Sequence, residues 1–108
     1  MQLQEARKAL ISEGLPIPIV DRFLKVFVEN IHIWQVFERK ALQRARLKMR
    51  FGAKEIMEDI RYKTPATMNG EFKIGNSYTA YFGRMFVLKY PEYSKFLKTR
   101  KVRGFKNA

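Results

Sequence analysis

The sequence predicts a mainly α fold, a compact bundle of about five helices with a small β-hairpin, of helix-turn-helix or winged-helix type. Three observations predict it. Apolar residues recur three and four positions apart in successive segments, the spacing that lays one stripe along a helix. Gly or Pro punctuates the joints between those segments. Asn69-Gly70 is the strongest short-range hairpin signal, because a type I′ turn needs positive φ at both central residues. The 108 residues suffice for one core and not for a second folded unit, so 1–108 reads as a single domain. Hydrophobic residues at 46% and aromatics at 14% are rich enough to fold it.

The first helix spans 2–13, where Leu3, Ala6, Leu10 and Ile11 form the stripe and Gly14 stops it. Residues 1–30 form an N-terminal helical arm. Leu15-Pro16-Ile17-Pro18 is an extended connector, and Pro18 opens a second helix that runs to Glu29. Val20, Phe23, Leu24, Phe27 and Val28 form its buried face. Asn30 is the expected N-cap of the longest helix, 31–49. Its apolar face is Trp34, Phe37, Ala41, Leu42, Ala45 and Met49, with Arg39, Arg46 and Arg50 opposite. Glu38 falls among the apolar positions, and a half-buried carboxylate needs a partner, here expected to be an arginine.

Phe51-Gly52 breaks that helix. A short fourth helix, 53–62, turns Ala53, Ile56, Met57 and Ile60 inward. Thr64-Pro65 ends it, and the hairpin or an ordered loop follows around Asn69-Gly70. Asn76 or Ser77 caps a fifth helix, 77–90, which Pro91 breaks. One more turn is expected over 92–97, then a basic, frayed tail over 99–108.

Charge is the strongest functional signal. Lys and Arg number 22 against 10 Asp and Glu, a formal net charge of +12. Such an excess opposes compaction by self-repulsion and suits a polyanionic partner. The excess is segregated. Arg39, Lys40, Arg44, Arg46, Lys48, Arg50 and Lys54 follow one another with no acid between them. So do Lys95, Lys98, Arg100, Lys101, Arg103 and Lys106. Clustered cations release phosphate counterions, which creates affinity without sequence choice. A solvated helix face plus a solvated tail is the alternative, and it fits scattered charge better than segregated charge. The expected phosphate contacts are therefore Arg39, Lys40, Arg44, Arg46, Lys48, Arg50, Lys54, Lys98, Arg100, Lys101 and Arg103.

The fifth helix starts Asn76-Ser77-Tyr78-Thr79, short polar groups of the kind that enter a major groove at a helix N-terminus. Tyr81 and Arg84 follow on the next turn, so these six are the expected base or groove contacts. Asn and Ser are equally ordinary helix caps. The segment from Lys63 to Gly75 is also longer than a simple turn. Aromatics crowd the C-terminal third; Phe82, Phe86 and Phe96 are expected in the core, while Tyr78 and Tyr81 are the better candidates for stacking on bases.

Other chemistries find little support. The absence of cysteine removes disulfides and Cys-based zinc sites. One histidine, His32, leaves no His-based metal site or triad. Glu55, Glu58 and Asp59 are clustered carboxylates, but Glu55 and Asp59 at i, i+4 ordinarily face water or pair with lysine. There is no phosphate-binding glycine loop and no dinucleotide fingerprint. The expectation is a non-enzymatic protein without cofactor or metal. Residues 1–8 lack the apolar stretch of a signal peptide, and no apolar run approaches the ~18 residues of a membrane span. A cytoplasmic location is expected, with no membrane partner. A peripheral membrane role for the Trp34-bearing helix is weaker, because its apolar stripe is needed for packing.

Five stretches carry a resemblance. They are Trp34 to Leu42, Phe51 to Tyr62, Phe72 to Tyr78 with Gly75-Asn76-Ser77, Tyr81-Phe82-Gly83-Arg84-Met85-Phe86, and Tyr90-Pro91-Glu92-Tyr93. Together they resemble a family of small basic proteins from phages and prophages, over residues 33–103. Where that family tends to carry paired asparagines, this chain has Gly75-Asn76-Ser77, so only Asn76 and Tyr78 match. The resemblance implies a phage or prophage setting in a bacterial host and no catalytic residue. The expected function is nucleic-acid binding, DNA favoured over RNA, with an accessory or regulatory role. The competing expectation is a module that docks its basic face on an acidic patch of a host protein.

Overall fold

The computed structural model describes residues 2–63 and 76–98. Five helices account for most of them: α1 Leu3–Ser12, α2 Ile17–Glu29, α3 Ile31–Arg46, α4 Ala53–Lys63 and α5 Asn76–Lys89. A 3₁₀ helix, Pro91–Phe96, follows α5. Two short strands, β1 Phe51–Gly52 and β2 Leu97–Lys98, pair in parallel, Phe51 with Leu97 and Gly52 with Lys98. The mainly α bundle is the fold the sequence predicts. The expected hairpin around Asn69-Gly70 and the tail beyond Lys98 lie outside the described residues. The strand pairing is an addition: two residues are too few to show an alternation in sequence.

Helix α5 is the centre of the bundle. Tyr81, Phe82, Gly83, Met85 and Phe86 are all buried, so the helix is covered on several sides by α1, α3, α4 and the 3₁₀ helix. Phe82 shows why. Its ring lies 5.7 Å from Phe23 and Phe27 of α2, 5.7 Å from Phe37 and 6.2 Å from Trp34 of α3. Tilted and edge-on rings at these separations add to their area burial. Gly83 lets α4 close in, because a Cβ there would stand 3.1 Å from Ala53 Cβ and 3.4 Å from Leu97 Cδ2.

Helix ends depart most from expectation. Asn30 does not N-cap α3 with its side chain; its Nδ2 donates to Val26 O at 2.9 Å and closes the end of α2 instead. Helix α3 stops at Arg46 rather than 49. Lys48 N–H donates to Ala45 O and Met49 N–H to Arg44 O, at 2.9 and 3.0 Å, a Schellman closure with Lys48 at φ 58°. Gly14, at φ 96°, closes α1 in the same pattern. Met49 therefore leaves the apolar stripe and is 51% exposed, and Arg50 is not on α3. Val28, expected inside, is also exposed.

Carboxylates tie the elements together. Arg7 of α1 meets Asp21 of α2 at 2.7 Å, and Lys40 of α3 meets Asp59 of α4 at 2.7 Å. Glu38 finds Lys89 and Tyr90, not an arginine; the Tyr90 hydroxyl donates to it at 2.8 Å. That network joins α3 to the end of α5. The Glu38 hydrogen bond holds Lys89 above the usual lysine value. Burial, and then the same carboxylate, holds the Tyr90 phenol up.

Candidate nucleic-acid interface

The expected phosphate contacts separate into three groups. Arg39, Arg44, Arg46, Lys48 and Arg50 form no ion pair among the described residues; Arg44 is half-buried and the other four are exposed. Lys40, Lys54 and Lys98 are engaged: Lys40 with Asp59, Lys54 with Glu58 at 3.9 Å, Lys98 with Glu55 at 3.8 Å. Arg100, Lys101 and Arg103 lie outside the described residues. The unpaired set lies along the C-terminal half of α3 and its connector to β1, with half-buried Arg44 on the opposite side of the helix from Arg39 and Arg46.

Local structure explains the grouping. Arg39 and Arg46 are seven residues apart, two helical turns on one face of α3. Arg44 and Arg46 occupy its last turn, where cations are stabilised by the negative end of the helix dipole. The Schellman turn then reverses the chain and presents Lys48 and Arg50 beside that end. The negative end of a helix dipole amounts to about half a charge, so these cations leave a net positive potential there. At physiological salt the Debye length is about 8 Å, short enough to moderate their repulsion and long enough to attract phosphate on approach.

The four expected groove contacts whose side chains are described, Tyr78, Thr79, Tyr81 and Arg84, do not form an open surface. Tyr81 is 1% exposed and its ring packs 5.1 Å from Phe23. Burial pushes its phenol above the ordinary value, and the hydroxyl has no hydrogen-bond partner among the described residues. Thr79 is buried as well. Tyr78 is half-buried, 6.0 Å from Phe23. Arg84 faces Glu13 at 3.7 Å. The side chains of Asn76 and Ser77 lie outside the described residues. For Tyr78, Thr79, Tyr81 and Arg84 these are corrections with one cause: α5 packs against α1, α3, α4 and the 3₁₀ helix, so these side chains face neighbours. Phe96, expected in the core, is half-buried at its edge.

Two features were not read from the sequence as part of a site. Tyr62, at the end of α4, is 91% exposed. It stands one turn beyond Asp59, the partner of Lys40. Its signal was its place on the polar side of the α4 stripe. The second is a cleft of about 570 Å³ between α4, α5 and β2, lined by Glu13, Lys54, Glu55, Glu58, Arg84 and Lys98 among others. Its charges are mixed, so it is not built for a polyanion.

Among the described residues no group of His, Cys, Asp and Glu is placed to hold a metal ion. Glu55, Glu58 and Asp59 each pair with a lysine. No described helix is long and apolar enough to cross a membrane. In comparisons with known proteins, no family model, no curated protein and no solved structure matches the chain.

Proposed function

We propose that the chain is a non-enzymatic nucleic-acid-binding protein that holds duplex DNA through phosphate contacts at the end of α3. The observation that carries this reading is the set Arg39, Arg44, Arg46, Lys48 and Arg50 at the end of α3 and in its connector, none of them with an acidic partner among the described residues. A duplex carries one charge per about 1.7 Å of axis and a dense counterion layer, so a compact cationic patch gains most there. Recognition by this patch is through the phosphate backbone, since Thr79 and Tyr81 of α5 are buried and cannot reach base edges. Tyr62 adds an exposed ring for contact with sugars or unpaired bases. An accessory or regulatory role in a phage or prophage setting fits the resemblance drawn from residues 33–103.

The test is anisotropy of labelled duplex DNA, single-stranded DNA and RNA across a salt series. Five phosphate contacts predict a log–log slope of magnitude about 4–5 for the duplex. Arg46→Glu with Arg50→Glu should reduce that slope by about 2 and leave the circular dichroism spectrum unchanged. Weak binding of all three at low salt refutes the reading.

One observation favours a second reading, docking on an acidic patch of a host protein. Leu47 and Met49 are 67% and 51% exposed within the cationic segment. Apolar side chains ringed by charge suit a protein interface. Leu47→Ser with Met49→Ser should spare DNA affinity under the first reading and abolish capture of a host protein under the second.

A further inference from the structure

A second face of the molecule has the opposite character. Leu3 of α1, Val28 of α2 and Ile31 of α3 are 42%, 51% and 45% exposed. Leu3 and Val28 form a ridge between two shallow depressions of about 380 and 470 Å³. One runs towards Phe27, Trp34 and Met85, the other towards Leu24. An apolar ridge flanked by apolar hollows is self-complementary in shape: the ridge of one copy fits a hollow of another. It is also a patch of the kind that marks an interface rather than a solvated surface.

The charges on this face decide the occupant. The chain carries +12 overall, yet here the cations are answered. Of the charged residues around the two hollows, Arg7 pairs with Asp21 and Lys89 with Glu38. Lys25 and Glu29 remain, and neither pairs among the described residues. They stand at i, i+4 on α2 with lysine first, the less favourable order for a pair within one helix. Across a two-fold axis the situation reverses. Two antiparallel copies of α2 crossing level with residue 27 leave Val28 about 3 Å along the axis from its own copy. The same crossing brings Lys25 level with Glu29 of the other chain, twice. A face that is locally neutral, apolar and charge-complementary to itself is a surface on which two such basic chains can meet with little local repulsion.

We infer that the chain forms a two-fold dimer through Leu3, Leu24, Val28 and Ile31, with reciprocal Lys25–Glu29 pairs across α2. The dimer does not depend on nucleic acid, so its test is separate from that of the proposed function. If both hold, each particle carries two cationic α3 ends and binds DNA bivalently.

The experiment is sedimentation velocity of the full chain alone, from about 5 to about 300 µM in about 0.15 M salt, which spans weak specific association. The expected result is a rise from the 12.8 kDa monomer to twice that mass. Val28→Asp, at an exposed position, should weaken association at least about tenfold with an unchanged circular dichroism spectrum. Lys25→Glu alone and Glu29→Lys alone should each weaken it, and the two together should restore it. A monomer at the highest concentration overturns the inference. So does a dimer indifferent to Val28→Asp, or a double charge exchange that fails to rescue.

Discussion

Replacing Lys48 by glycine should stabilise the protein and, under the proposed function, weaken duplex DNA binding at once. Lys48 closes α3 from the left-handed region, at φ 58°, in the position where a Schellman turn ordinarily has glycine. A Cβ in that conformation costs roughly 1–2 kcal/mol. Glycine removes the cost but adds freedom to the unfolded chain, returning roughly 0.5–1 kcal/mol. The balance is a gain of about 0.5–1 kcal/mol. With an unfolding entropy of about 2.1 cal/mol/K per residue, that raises the melting temperature by about 2–4 °C. The same change deletes one unpaired cation, so the salt slope for duplex DNA should fall by about 0.9. Lys48→Ala is the control: it loses the charge equally but keeps the Cβ. Calorimetry and anisotropy on both variants separate backbone from charge. A glycine variant that melts no higher than the alanine variant would refute the strain argument.

Three further substitutions probe the core and its fastenings. Tyr81→Phe removes a buried hydroxyl that has no described partner, and should raise stability by about 1 kcal/mol; a lower melting temperature would reveal a partner that the described contacts do not contain. Glu38→Gln weakens the tie to Lys89 and Tyr90 and should cost about 1 kcal/mol in a thermal melt near neutral pH. Both partners have raised values in the folded state, so this contribution is complete below about pH 10 and is lost as pH climbs through those raised values. The gap between wild type and Glu38→Gln should therefore close in melts at about pH 11, and a constant gap would mean the carboxylate acts by packing alone. Gly83→Val drives a branched side chain against Ala53 and Leu97 and should cost more than about 2 kcal/mol in urea unfolding, although glycine is the poorer helix former.

What could be read from the sequence followed the range of the signal. Phe23, Phe37, Ile56 and Phe82 declare themselves through spacing along one helix, and all four are buried. The α3 cations are equally local, because an acid-free run is visible without a fold. Helix ends were less legible. Met49 continues the α3 stripe by arithmetic, yet a lysine in the left-handed region ends the helix three residues sooner, and no residue type at 47–49 announces that turn. The strand pair Phe51–Leu97 depends on a contact 46 positions apart and leaves no periodic trace. Tyr81 misled for a related reason. A tyrosine near a helix start is chemically fit to meet a base, but exposure is decided by how many neighbours the helix acquires, and α5 acquires the most enclosing ones.

The placement of the carboxylates explains how a chain at +12 keeps both a core and a free cationic end. Glu13, Asp21, Glu38, Glu55 and Asp59 each meet a cation on a different element, so their charge is used at the joints between α1, α2, α3, α4, α5 and β2. Partly exposed pairs of this kind add little stability singly. Their larger effect is to cancel repulsion where elements must approach. From Arg44 to Arg50 the close packing is made by Ala45, and among the described residues no carboxylate pairs with the cations there. Cationic repulsion is tolerated at the end of α3 because the nearest joints are already neutral. Adding an acid to that segment should therefore relieve repulsion as it removes affinity. In Arg46→Glu with Arg50→Glu, relief of repulsion offsets the loss of a cation at the negative end of the helix dipole, so a melting temperature close to wild type beside weakened DNA binding is the expected combination.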